Sequence, residues 1–182
     1  MKAKILTVAI GGLLGFSSIG AHAADGTITI TGTVTDTTCS INGDEAGVNF
    51  SKTITLPTVT ASALSATGAV AGTSQPSDLR FSLSGCSAGT KAIASFENGP
   101  TVDQDTGNLI NAGTAANVQV QLLNGLMQPI NITTNSNNQL ATNGAAITQG
   151  AADLKYYARY FATGKADAGT VTTSVQFSMQ YQ

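Results

Sequence analysis

Gly169-Thr-Val-Thr-Thr-Ser-Val-Gln-Phe-Ser-Met-Gln-Tyr-Gln182 is the stretch whose reading decides the fold. Its odd positions carry Val171, Thr173, Val175, Phe177, Met179 and Tyr181. Its even positions carry only Thr, Ser and Gln. Alternation with period two over a dozen residues marks a strand with one buried face. The sequence ends one residue after Tyr181, so no later hairpin partner is expected to cover the far edge. A long strand with an apolar face and an open edge is a pairing hazard unless something covers it.

A second alternating stretch lies near the other end, in Ala24-Asp-Gly-Thr-Ile-Thr-Ile-Thr-Gly-Thr-Val-Thr-Asp-Thr-Thr-Cys39. Ile28, Ile30, Gly32 and Val34 face one way, and the odd positions from Thr27 to Thr35 are all threonine. β-Branched residues make it a strand by propensity as well as by period. Gly32 is unusual there, since a glycine within a strand marks a bulge or a close backbone approach. Two readings stand: an ordinary first strand of a sandwich, or an arm up to Thr33 joined to a domain that starts at Val34.

Ahead of it, Met1-Lys-Ala-Lys4 is positively charged, Ile5 to Phe16 is apolar, and Ala21-His-Ala23 is a small-x-small cleavage pattern. Residues 1–23 therefore read as a secretory signal peptide. The rival reading, a membrane anchor, has an apolar run too short to span a bilayer comfortably. No transmembrane segment is expected in the mature chain. Losing Lys2 and Lys4 leaves six basic residues against ten acidic ones, and losing His22 leaves no histidine. With no histidine, no Ser-His-Asp or Cys-His nucleophile can be assembled. Without a basic patch or a tryptophan, nucleic acid is not expected as a partner.

Cys39 and Cys86 are the two cysteines. In an exported chain such a pair reads most simply as a disulfide. It would close a long loop and contribute about 4 kcal/mol on a chain-entropy estimate. A redox pair is the alternative, but the close Cys-x-x-Cys spacing is missing.

Between these ends, short alternating runs recur. Val48 and Phe50 suggest a short strand, and Ile54 to Val59 an extended edge interrupted by Pro57. Residues 60–78 are weakly patterned, with one helical turn near Ala61 to Leu64. Leu79, Phe81 and Leu83 alternate clearly into Cys86. A short strand follows around Ile93 to Glu97, and another over Val118 to Leu122. Residues 133–150 look too polar to build much core. Leu154 to Thr163 is the aromatic centre, with Tyr156, Ala158, Tyr160 and Ala162 on one face and Tyr157, Arg159 and Phe161 on the other. Many short strands joined by Gly/Asn/Ser turns predict an all-β antiparallel sandwich. Asp103 and Asp105 invite a calcium reading, but Gly107 stands out of place for an EF-hand loop and no closing glutamate follows. No P-loop, G-x-S-x-G or dinucleotide fingerprint occurs, and carboxylates such as Glu45 and Glu97 lie in polar turns without an aromatic cleft. No enzyme, metal or cofactor is expected.

Set together, these features resemble the fimbrial (pilin) subunits of the bacterial chaperone–usher pathway, in particular the type 1 major-subunit kind. The residues that carry the resemblance are Gly169 fourteenth from the end with Tyr181 penultimate, Gly32-Thr-Val34 ahead of Cys39, Phe81-Ser-Leu-Ser-Gly-Cys86, Val118-Gln-Val-Gln-Leu122 and Tyr157-Ala-Arg-Tyr-Phe161. The resemblance implies an incomplete immunoglobulin-like sandwich that lacks its last strand and is completed in trans by a donor strand. It implies a donor-strand extension over residues 24–33 and a pilin domain over 34–182. Ile28, Ile30, Gly32 and Val34 would be the donor residues. Gly169, Val171, Val175, Phe177, Met179, Tyr181 and Gln182 would form the acceptor groove and chaperone-binding strand. The implied partners are neighbouring pilin subunits, a periplasmic chaperone and an outer-membrane usher. The implied destination is a fimbrium on the cell surface, where the chain builds an adhesive pilus. A minor or tip-proximal subunit that binds a receptor directly is the alternative.

Overall fold

The structure, a computed structural model, describes residues 39–44, 51–87 and 89–182. The signal-peptide reading of 1–23, the arm with Ile28, Ile30, Gly32 and Val34, and the strand expected at Val48 and Phe50 lie outside the described residues. Nine strands are described: β1 (Ser40–Ile41), β2 (Val70–Ala71), β3 (Leu79–Ser84), β4 (Lys91–Phe96), β5 (Leu109–Ile110), β6 (Val118–Leu123), β7 (Ala145–Ala146), β8 (Ala152–Ala162) and β9 (Phe177–Tyr181). All pair antiparallel, in two sheets. The larger runs β1-β3-β8-β6-β5, with β2 also on β8, and the smaller runs β7-β4-β9. Among the described residues helix is confined to a 3-10 turn at Ala61–Leu64, where the sequence suggested one turn, and to α1 (Leu140–Asn143).

The layers follow from the alternation. Phe81 and Leu83 of β3 are buried while Arg80, Ser82 and Ser84 are exposed. On β8, Ala152, Leu154, Tyr156, Ala158 and Ala162 are buried, the face read from the sequence, with Tyr160 half-buried beside Leu64. The smaller sheet meets this face through an aromatic cluster. Tyr156 packs edge-on against Phe81, with ring centroids 6.0 Å apart, and against Phe96 at 5.1 Å. Such geometry adds about 0.5–1.5 kcal/mol per pair beyond the area buried. The disulfide joins Cys39, just before β1, to Cys86, just after β3, across a separation of 47 residues. It ties the start of the described domain to the larger sheet.

The short strand expected around Ile93 to Glu97 is β4, and its residues Ala92 to Phe96 are all buried. Register explains which face meets the core. Ala92, Ala94 and Phe96 stand opposite Tyr181, Met179 and Phe177, so this row faces the larger sheet. The backbone of Ala94 points away from β9, beyond the end of the two-residue β7. Its buried N–H and C=O therefore need side-chain partners. The Ala94 N–H donates to the Tyr156 hydroxyl at 3.1 Å, and the Asn138 Nδ2 donates to the Ala94 carbonyl at 2.9 Å. Asn138 is 3% exposed, so the polar 133–150 segment does reach the core, through an amide that closes an unfinished ladder. The Asp103 loop has a similar local explanation. Asp103 Oδ1 accepts from the Thr106 N–H, the Thr106 hydroxyl and the Asp105 N–H, which hold its carboxyl below the usual range and brace the turn.

Burial pushes the Tyr156 hydroxyl up from 10.0 to about 12. Folded Tyr156 thus stays neutral where an exposed tyrosine ionises. Its contribution is complete below pH 10 and is lost as pH rises toward about 12. Tyr156→Phe is expected to flatten that part of the stability–pH curve in urea titrations. At neutral pH it should cost about 1–3 kcal/mol by orphaning the Ala94 N–H.

Candidate functional site

The residues singled out at the C-terminus lie along one extended line, and they fall into two halves. In the second half, β9 pairs with β4 from Phe96↔Phe177 to Ala92↔Tyr181. The pairing runs on at both ends: the Glu97 N–H donates to the Gln176 carbonyl at 2.8 Å, and Lys91 and Gln182 exchange backbone bonds at 3.0 Å each way. The first half, Val171 to Gln176, was expected to belong to one continuous twelve-residue strand. It is extended and alternating but has no regular strand beside it. Instead, the Thr170 and Thr172 carbonyls accept from the Ala115 and Ala112 N–H groups, and the Thr172 N–H donates to the Asn111 side chain. A turn with an asparagine in it stands in for a ladder, which is why the regular strand is only five residues long.

Gly169 and Gly113 make this crossing possible. A Cβ on Gly169 would overlap the Thr114–Ala115 backbone, and one on Gly113 would overlap the Thr170 carbonyl. Gly169 is itself exposed, so its part in the line is close backbone approach. Gln182 is exposed too and acts through its backbone bonds to Lys91.

Side-chain and backbone directions agree along the whole line. Every odd residue from Val171 to Tyr181 is half-buried and every even one is exposed. The even residues Thr170, Thr172, Gln176 and Gln182 make the backbone bonds to the 111–115 turn and to β4 with its flanking residues. In an antiparallel ladder neighbouring residues turn their N–H and C=O groups to opposite edges. The odd residues therefore present theirs to the other edge. Among the described residues β9 is the outer strand of its sheet, with β4 on one side.

The inner face is apolar and only partly covered. Val171, Val175, Phe177, Met179 and Tyr181 all pack on the main core yet remain half-buried, while the facing residues Ala92, Ala94 and Phe96 of β4 are fully buried. Phe177 stacks on Phe81 with centroids 4.8 Å apart, anchoring the line to the larger sheet. Ile54 and Leu56 are also half-buried apolar residues packed on this core. Burial raises the Tyr181 hydroxyl above its usual range. Thr173 is the one polar member of the inward row, and its Oγ1 is buried without a hydrogen-bond partner among the described residues. Period-two reading placed Thr173 on this face but could not show that its hydroxyl is left over. The 111–115 contact likewise gave no sequence signal beyond the two glycines.

The arrangement has no nucleophile–base pair. What it offers is a half-covered apolar row beside an outward-turned strand edge, the chemistry of strand addition.

Known proteins agree with this geometry. Residues 28–182 match the family model described as Fimbrial protein. The chain is 43% identical over 178 residues to the major fimbrial subunit SMF-1 of Stenotrophomonas maltophilia (strain K279a), covering 93% of this chain and 99% of that one. It is 37% identical to the F17 fimbrial protein of Escherichia coli, covering 95% and 96%. Among solved structures, a chaperone–usher pilus aligns with a TM-score of 0.54 at 21% identity over 87% of this chain and 96% of that one. At that identity the likeness speaks for the fold, an immunoglobulin-like sandwich. Fimbrial subunits are structural components of surface pili, not enzymes, and on its sequence and its fold this chain belongs to the Fimbrial protein family.

Proposed function

We propose that the chain is a structural subunit of an adhesive surface pilus, which polymerises when the N-terminal arm of one copy completes the sandwich of the next. The observation that carries this reading is the inward row from Val171 to Tyr181, half-buried at every odd position and running onto β9, the outer strand of its sheet among the described residues. The complement is present in the same sequence, in Ile28, Ile30, Gly32 and Val34. Main-chain bonds to the outward-turned N–H and C=O groups supply affinity, and alternate side chains filling the uncovered row supply selectivity. Burying each Ile or Val of the arm contributes about 1.5–3 kcal/mol before ordering costs. Gly32 suits the place where the groove is shallow.

The same face has to be protected before assembly, because an exposed strand edge with an apolar row invites aggregation. A periplasmic chaperone covering β9, and an outer-membrane usher that exchanges it for the next arm, fit that requirement. So does export through the periplasm by the leader at residues 1–23. The Thr/Ser/Asn-rich surface, sparse in charge, suits a repeating shaft.

Gly32→Leu forces a side chain into the shallow part of the groove. Overpacking of this kind costs about 1–3 kcal/mol, so purified subunits should polymerise about ten- to a hundredfold more slowly. An unchanged rate would sink the strand-exchange account. Electron microscopy of cells lacking this chain alone is expected to show no fibres at all; fibres that are merely shorter or sparser would assign it a minor place.

A further inference from the structure

The larger sheet also has an outward face, turned away from the core residues Leu109, Val120 and Leu122. On the reading above that copies of this chain polymerise, on which this rests, we propose that this outward face, centred on Arg159, is a second contact between copies in the fibre and receives a carboxylate-bearing surface of another copy. Register places its residues. Directly opposed residues share a face, so Val70, Phe161, Gln119 and Ile110 form one row across β2, β8, β6 and β5. Val70 is 40% exposed and Ile110 42%, and they are two of the four exposed large apolar side chains among the described residues. They stand three strand spacings apart, about 14 Å, with Phe161 half-buried between them. The next rows along β8 set Arg159 opposite Gln121 and Tyr157 opposite Leu123. The guanidinium thus lies on an exposed sheet face between two aromatic residues of its own strand.

That guanidinium is oriented but not neutralised. Arg159 Nε and Nη2 donate to Gln121 Oε1 at 3.0 and 2.7 Å, and Gln121 Nε2 donates to Asn108 Oδ1 at 3.2 Å. Asn108 is buried, so this run of amides is anchored in the protein. The remaining N–H groups of the fork have no partner among the described residues. Burial lowers the Arg159 pKa, with no carboxylate beside it to raise it. Asp153, on the same side of β8, is already taken by Arg80 and Lys155. A fixed fork with free N–H groups matches a carboxylate. The rows described above hold no acidic residue, so two copies meeting through this same face would set Arg159 against Arg159. The contact therefore joins unlike surfaces, the kind that repeats along a filament. A second copy supplies the other side, because past residue 23 the chain carries ten acidic residues against six basic ones. Copies already linked by their arms meet at an effective concentration on the order of millimolar, so a modest face is enough.

Thiol labelling of the full mature chain tests this. Val70→Cys and Ile110→Cys are single changes at exposed positions, so the fold should hold. Each thiol is expected to react with a maleimide about tenfold more slowly in fibres than in the chaperone-bound subunit, as a face covered roughly nine-tenths of the time would. Equal rates, in fibres that hold together, overturn this contact and leave strand exchange standing. A chain that forms no fibres by exchange of its arm overturns both. Slow reaction already in the chaperone-bound subunit would give the face to the chaperone and overturn the proposal. Salt tests the carboxylate. Going from about 0.05 to about 0.5 M salt shortens the screening length about threefold, which should speed labelling of Ile110→Cys in fibres severalfold. Adding Arg159→Gln should give fast labelling at low salt and no salt dependence; the same salt dependence with and without Arg159→Gln overturns the charge pairing.

Discussion

A strand has two edges, and among the described residues β9 has only one of them paired, against β4. Everything that holds β9 in place works from the inner side or the β4 side. Phe177 stacks on Phe81, Gln182 exchanges backbone bonds with Lys91, and Gly169 lets the chain cross close to the 113–115 turn. These contacts hold the strand from those two sides and leave a row of half-buried side chains along it.

The rest of the sandwich compensates for that exposure. The disulfide anchors Cys39 beside β3. The aromatic cluster of Phe81, Phe96 and Tyr156 binds the two sheets. β4 is buried on both faces, and its stray backbone groups at Ala94 are met by Tyr156 and Asn138. An unfinished ladder is thus closed by side chains where its backbone groups are buried. Thr173 is the polar exception inside the row, and its Oγ1 has no hydrogen-bond partner among the described residues.

Much of the fold was legible because alternation is a local signal. Leu79–Phe81–Leu83, Tyr156–Ala158 and Val171 to Tyr181 each show their buried face in sequence, and the structure has the same faces inward. Reading failed where a residue's environment comes from elsewhere in the chain. β4 was expected only as a short strand, and that both its faces are covered comes from what packs on it. Asn138 sits in a stretch too polar for core by composition, but becomes core because β7 stops two residues in. The terminal stretch was expected to be one long strand, but its first half lies against a turn rather than a strand.

The sequence by itself determined the alternation of both end segments, the cysteine pair, the absence of catalytic chemistry and, through Gly169 and Tyr181, the family. Those are properties of residue type and spacing, and they survive without knowing what packs on what. Only the tertiary structure decided that the inward row of the terminal strand is half-covered at each position, that its odd residues turn their backbone away from β4, and that one hydroxyl in the row has no partner among the described residues. Coverage, edge direction and satisfaction depend on neighbours brought together from residues far apart in the chain, which no local pattern encodes.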